Sequence, residues 1–103
     1  MASEEKEVLY EVKKNGIAVV TINRAKASNC VTPQVTALLN EAVIRVEQDD
    51  SIRVAILTGE GERVFCAGAD IGAIAQGRGA ELVHNTAGFA GFVNAKPSKP
   101  WIV

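Results

Sequence analysis

A helix-length segment with one apolar stripe lies between two apolar strand-like segments, and this order limits the possible folds most. The strand-like segments are residues 17–22 and 54–58, and the helix opens at Thr32-Pro33. Apolar residues then recur every three or four positions, as in a helix that packs one face on a sheet. The stripe consists of Val35, Leu38, Leu39, Ala42, Val43 and Val46. Because a strand, helix and strand in this order place the two strands parallel, we predict an α/β fold.

A hairpin is predicted ahead of this unit. Residues 8–12 form a short strand-like run, and Lys14-Asn15-Gly16 follows it. Asn-Gly tolerates the positive φ angles that a tight hairpin turn requires. We therefore expect residues 8–12 to pair with residues 17–22, which extends the order to ββαβ. The polar residues 1–7 are expected to form a disordered leader.

The stretch Phe65-Cys66-Ala67-Gly68-Ala69-Asp70-Ile71, here called the signature segment, carries the strongest chemical indication. A strand-like run, residues 64–66, leads into small residues and then into Asp70, which can cap a short helix over residues 71–75. Small residues let a ligand approach the backbone, and free N–H groups there can stabilise negative charge. The alternative is an ordinary strand-to-helix turn with Asp70 as its N-cap. Composition alone favours the ordinary turn, because helix N-caps are common and oxyanion sites are few.

Two other loops carry charged residues. Arg24 and Lys26 follow a buried strand, either as part of a solvated loop or as a lip over a ligand that carries phosphate. The turn at residues 59–63 is rich in glycine but lacks the spacing of a phosphate-binding loop, so we reject that function for it.

The last third of the chain is predicted to hold a second helix and a strand. Residues 80–94 can form a helix with soft boundaries, because Gly88 and Gly91 weaken it. Its His84 has no evident catalytic partner, and such a histidine is more often structural or at the surface than catalytic. After two prolines, residues 101–103 begin a further buried strand.

Composition excludes several classes of protein. The formal net charge of -1 gives no reason to expect a nucleic acid or an anionic membrane as partner. No apolar run approaches the ~20 residues that a membrane span needs, and the amino terminus lacks an apolar signal core. Cys30 and Cys66 suggest neither a metal site nor a disulfide framework. We expect a soluble, cytoplasmic protein.

Several of these segments resemble the crotonase (enoyl-CoA hydratase/isomerase) superfamily. Residues 23–29 resemble its N-R-P-x-x-x-N segment, and residues 54–59 its V-x-V-L-T-G strand and turn. The signature segment resembles its F-C-A-G-A-D-[IL] motif, and Lys99-Pro100 its K-P-V-I-A run. The resemblance covers residues 8–103 in the right order. It implies a partial domain: the ββαβ-type N-terminal half of a crotonase-like spiral fold, truncated before the second half of the core.

The resemblance also implies the site. The backbone N–H of Ala69 takes the place of one of two donors to the oxygen of a CoA thioester. Ala67, Gly68, Asp70 and Ile71 are expected to line the path of the acyl and pantetheine groups.

The loop at residues 24–29, here called the lip, resembles the part of the family that covers the CoA adenine. Lys26, Ala27 and Asn29 are the expected contacts, and Arg24 is expected to order the turn. Ala25, Ser28 and Cys30 depart from the usual proline, leucine and alanine, and Trp101 is larger than the usual valine or isoleucine.

The resemblance implies an acyl-CoA-binding hydratase or isomerase with the thioester as substrate, no separate cofactor and no metal. The second donor and the acid/base carboxylates of the family lie beyond the strand that starts at Trp101, so we expect the chain to be inactive alone. The alternative is a non-catalytic acyl-CoA-binding or assembly module. Because half a domain exposes a sheet edge, we also expect a homo-oligomer.

Overall fold

The computed structural model describes residues 6–103. We number its elements in chain order. They are β1 (Val8–Lys13), β2 (Ile17–Ile22), α1 (Pro33–Gln48), β3 (Val54–Gly59), α2 (Ile71–Ala75), β4 (Val83–His84), β5 (Gly88–Phe89) and β6 (Trp101–Ile102). Two short 3-10 helices, Ala25–Ala27 and Gly79–Leu82, lie in the connections.

Four strands form one sheet in the order β1-β2-β3-β6. β1 and β2 are antiparallel, and the turn between them has positive φ angles at Asn15 (67°) and Gly16 (76°), as Asn-Gly permits. β2, β3 and β6 are parallel to one another. The predicted hairpin, the parallel pair and the α/β class are therefore confirmed.

Helix α1 begins and packs as predicted. The Thr32 hydroxyl accepts a hydrogen bond from the Val35 N–H at 3.0 Å, and Pro33 occupies the first turn, where no backbone donor is needed. The stripe is buried except for Leu38, which is half-buried. Lys99 donates from Nζ to the carbonyls of Val46 and Asp49, which satisfies carbonyls at the end of the helix.

The predicted helix over residues 80–94 is wrong. The chain there forms a 3-10 turn, the small hairpin of β4 and β5, and further turns. Gly88, Ala90 and Gly91 have φ angles of 77°, 61° and 67°, which a right-handed helix excludes. His84 has the predicted structural role, since its Nδ1 accepts from the Ala87 N–H at 2.9 Å within this hairpin.

The strand-like run at residues 64–66 is also not a strand. It is a loop with a bend at Phe65, and the pairing in this part of the chain is a single parallel bridge between Val31 and Ala69. The short helix after it, α2, is present over the predicted residues 71–75.

Of the predicted leader, residues 1–5 lie outside the described part of the chain. Its last two residues are hydrogen-bonded: Asn23 donates from its backbone N–H to the Glu7 carbonyl and from Nδ2 to the Lys6 carbonyl. Within residues 6–103, none of the helices is both long and apolar enough to cross a membrane.

Candidate functional site

The loops that contain the lip and the signature segment leave the sheet side by side. Ile22 ends β2 and Gly59 ends β3, and these two residues are opposite each other in the parallel pair. The carboxyl ends of parallel strands are where α/β folds place ligands. The loops that follow, residues 23–32 and 60–70, are thus brought together at one edge of the sheet.

Backbone hydrogen bonds join the two loops directly. Ala67 donates to the Ser28 carbonyl at 3.0 Å, and Val31 donates to the Gly68 carbonyl at 2.7 Å. Asp70 then donates to the Val31 carbonyl at 2.9 Å. These bonds hold the signature segment against the lip.

The Ala69 N–H is left free by this pairing. Val31 bonds to the residues on either side of Ala69, which is the pattern of a parallel bridge, and in this pattern the Ala69 N–H points away from Val31. In the described part of the chain it meets no hydrogen-bond acceptor. Gly68 precedes it with a φ of 104° and open space where a side chain would be. A ligand oxygen can therefore approach this donor.

An apolar cavity of about 350 Å³ adjoins the signature segment. Its walls come from β2 and β3, from α1, from the two loops that follow β2 and β3, from β5 and the turns after it, and from the residue after β6. The lining residues are Ile22, Val31, Leu39, Leu57, Phe65, Cys66, Gly68, Phe89, Ala90, Phe92, Val93 and Val103. No side-chain carboxylate is among these described residues, so the cavity suits an apolar group rather than acid/base chemistry.

Of the predicted path residues, only Gly68 lines this cavity. Ala67 is exposed, and Ile71 is 78% exposed on α2. Asp70 caps α2 through Oδ2, which accepts from the Ala73 N–H at 2.9 Å. The N-cap interpretation is therefore right for Asp70, and it coexists with the free donor at Ala69.

Sequence reasoning missed Phe65 and Cys66 as lining residues. Both belong to the signature segment, but an apolar strand-like run is typical of burial in a sheet rather than of exposure to a cavity. Phe65 is in fact 45% exposed.

Lys26 lies on an open part of the lip. It borders a cleft of about 280 Å³ together with Ala25, Ser28 and residues 60–64. Arg24 orders the lip, as expected, because its Nη1 donates to the Cys30 carbonyl at 2.8 Å. Its Nε also lies 3.6 Å from the Glu7 carboxylate.

Asn29 does not face a ligand surface. Its side chain is fully buried, whereas the sequence predicted a contact with CoA. Nδ2 donates to the carbonyls of Glu60 (3.0 Å) and Val64 (2.8 Å), and Oδ1 accepts from the Arg24 N–H at 2.9 Å. This amide binds the lip to the turn that leads into the signature segment.

The acidic side chains of Glu60, Glu62 and Glu81 do not line the cavity. Glu81 lies 2.8 Å from Arg78, and the hydrogen bond between them holds the pKa of Glu81 below its ordinary value. Glu60 and Glu62 border the cleft beside Lys26 rather than the cavity. Within residues 6–103, no group of three or more His, Cys, Asp or Glu side chains is placed to hold a metal ion.

Comparison with known proteins identifies relatives of this chain. Residues 12–94 match the sequence profile of a family described as enoyl-CoA hydratase/isomerase. The carnitinyl-CoA dehydratase of Proteus mirabilis (strain HI4320) is 36% identical over 83 residues, which are 81% of this chain and 31% of that protein. The (E)-benzylidenesuccinyl-CoA hydratase of Thauera aromatica is 51% identical over 57 residues, which are 55% of this chain and 22% of the relative.

Solved structures agree. EchA1_1 from Mycobacterium paratuberculosis ATCC BAA-968 / K-10 superposes with a TM-score of 0.86 at 35% identity, over 95% of this chain and 38% of that one. A carnitinyl-CoA hydratase from Mycobacterium avium gives a TM-score of 0.85 at 33% identity, over 94% and 37%. The chain thus spans between 22% and 38% of the length of these relatives. Its fold is that of the N-terminal part of a crotonase-like domain.

Proposed function

Because the chain belongs to the enoyl-CoA hydratase/isomerase family, we propose that it binds an acyl-CoA thioester and stabilises charge on the thioester oxygen through the Ala69 N–H. The complete reaction in which this step takes part is the addition of water to an enoyl-CoA or the migration of its double bond. In either reaction an enolate places negative charge on that oxygen. The CoA thioester is a substrate here and not a resident cofactor.

The free N–H of Ala69 is the observation that carries the proposal. It follows Gly68, which lines an apolar cavity large enough for a short acyl chain. A donor that is already free and fixed needs no reorganisation when charge develops, and the loss of one such donor typically costs about 3 kcal/mol of transition-state stabilisation.

The lip supports the CoA end of the ligand. Lys26 is exposed beside the cleft, where its ammonium group can pair with a phosphate. The neighbouring Ala27 can contact the CoA group through its backbone and its small side chain. Asn29 contributes through the position of the lip and not by contact, since its side chain is buried.

We propose that this chain by itself binds without turnover. Hydration needs a group that activates water, and no side-chain carboxylate lines the described cavity. The same observation favours the second candidate, a non-catalytic acyl-CoA-binding module. A hydration assay with crotonyl-CoA tests the non-catalytic candidate. Turnover would exclude it, and would mean that an acid/base group reaches the cavity from elsewhere.

Calorimetric titration with butyryl-CoA and with S-butyl-CoA, a thioether that lacks only the carbonyl oxygen, tests the proposal. One hydrogen bond corresponds to about a ten-fold tighter binding of the thioester. Ala69→Pro removes the N–H and should abolish this preference, whereas Ala69→Ser keeps it. Equal affinity of the unaltered chain for both ligands rules the oxyanion role out.

We also propose that the chain self-associates, because β6 is an edge strand among the described strands and Ile71, Ile102 and Val103 are more than half exposed.

A further inference from the structure

Asn29 is the only fully buried polar side chain in the two loops of the site among the residues described. Both N–H groups of its amide are used, at 3.0 Å to Glu60 and 2.8 Å to Val64, and its oxygen accepts from Arg24. A buried amide is tolerated only when its groups are paired in this way. The side chain thus depends on both loops being in place, and both loops depend on it.

The backbone around Asn29 turns sharply. Ser28 and Asn29 both have a φ of 55°, a left-handed conformation that asparagine tolerates better than most residues. This double turn sends the Asn29 side chain inward while the Ser28 carbonyl accepts from Ala67. The side-chain bonds and the bonds between the loops therefore form one connected set.

This connected set of hydrogen bonds extends to the residues on either side of the free Ala69 N–H. The carbonyl of Val64 belongs to the residue just before the signature segment, and the Val31 bonds to Gly68 and Asp70 flank Ala69 on both sides. A shift of residues 60–64 relative to the lip must therefore displace the Ala69 N–H or break those bonds.

We propose that Asn29 is a positioning residue that fixes the distance and register between the lip and the Ala69 N–H, so that one acyl-CoA contacts both. The inference rests on the proposed function for the identity of the ligand. Under this proposal, the preference of the site for a thioester carbonyl depends on a buried side chain that touches no substrate.

Asn29→Asp is the test variant. It keeps the size and the acceptor of the side chain but turns an oxygen towards the carbonyls of Glu60 and Val64. Asn40→Asp is the matched control, since the Asn40 amide also donates to a distant carbonyl, that of Gly91 at 3.2 Å, but away from the lip.

Amide hydrogen exchange measures the positioning without any ligand. In folded Asn29→Asp, the N–H groups of Ala67 and Asp70 should exchange at least about ten-fold faster, because the bonds between the loops open. In Asn40→Asp they should be unchanged. Equal exchange in the unaltered chain and in Asn29→Asp overturns the inference.

Ligand binding measures the consequence. The ratio of affinities for butyryl-CoA and S-butyl-CoA should fall towards one in Asn29→Asp and persist in Asn40→Asp. A folded Asn29→Asp chain that retains the ratio overturns the inference, while the proposed function stands. If the unaltered chain shows no preference, the proposed function fails, and hydrogen exchange still decides whether Asn29 positions the donor.

If the Asn29→Asp chain does not fold, a second variant and a measurement on the unaltered chain still test the inference. Asn29→Gly keeps the positive φ without adding charge and should give the same faster exchange. In the unaltered chain, the side-chain amide protons of Asn29 should exchange about a hundred-fold more slowly than those of Asn23, whose hydrogen bond is exposed. Equal rates for the two amides mean that the anchor does not form, and this overturns the inference without any variant.

Discussion

At Gly59 the end of β3 passes so close to the signature segment that a side chain cannot fit. A Cβ at this position would overlap the carbonyl of Phe65 and would lie 2.7 Å from Nδ2 of Asn29. The overlap with Phe65 involves backbone, which cannot move aside as the end of a flexible side chain can. Gly59 and Asn29 therefore form one tightly packed junction between the sheet and the two loops.

Gly59→Ala is expected to lower the free energy of unfolding by more than about 2 kcal/mol, because the backbone must shift to make room. Urea denaturation measures the change. Gly79→Ala is the matched control: the nearest atom to its Cβ would be Cγ1 of Ile74 at 3.7 Å, an ordinary contact, so we expect a change within about 0.5 kcal/mol. Similar losses in both variants would contradict this account of Gly59.

The role of Asn29 shows what the sequence does not reveal at the scale of single residues. The motif marked Asn29 as important, and a polar residue in a polar loop suggested contact with a ligand. The carbonyls that it binds are 31 and 35 residues away in the chain, and no local pattern encodes them. Arg24 was interpreted correctly because its partner, Cys30, lies in the same loop.

At the scale of elements, local chemistry determined which predictions succeeded. The Asn15-Gly16 turn and the Thr32 cap are local signals, and both the hairpin and α1 were predicted from them. The helix over residues 80–94 failed because its apolar residues suggested a helical face. Gly91 instead lies so close to α1 that a Cβ would be 2.5 Å from the Thr36 carbonyl, a contact that the sequence does not reveal.

The end of α1 is tied to the segment before β6 by a carboxylate. Glu47 accepts from the backbone N–H of Ser98 at 2.9 Å and from its hydroxyl at 2.8 Å. These two bonds favour the ionised form and hold the pKa of Glu47 below its ordinary value of 4.5. The contact joins residues that are 51 positions apart in the chain.

This contact should make the thermal stability depend on pH in the acid range. The pKa of Glu47 is lower in the folded state than in the unfolded state. The stabilisation is therefore complete above pH 4.5 and is lost as the pH falls through the lowered pKa. The melting temperature of Glu47→Gln should therefore fall less steeply than that of the unaltered chain between about pH 5 and pH 3. Glu41→Gln, an exposed glutamate on the same helix, is the control. Identical slopes for the unaltered chain and Glu47→Gln would show that the contact does not contribute.

At the scale of the whole molecule, the lip and the signature segment each lie on a loop that leaves the carboxyl end of a parallel strand. The ββαβ order could be predicted from periodicity, and it brings the lip and the signature segment together through the pairing of Ile22 with Gly59. The apolar cavity could not be predicted, because its walls combine seven separate stretches of the chain. Its opening leaves apolar side chains such as Val93 and Val103 exposed to more than 60%.

Self-association is the consequence that tests this arrangement. Among the described strands, β6 is at an edge, and its Ile102 is 58% exposed beside Val103. An apolar edge with free backbone groups favours pairing with another chain, and a lysine on such an edge opposes it. Light scattering should show a mass above that of a single chain, which falls in Ile102→Lys. Ile44→Lys is the matched control, since Ile44 is 47% exposed but lies on α1, away from the edge. A single-chain mass at all concentrations, or an equal effect of both variants, would place the association elsewhere or exclude it.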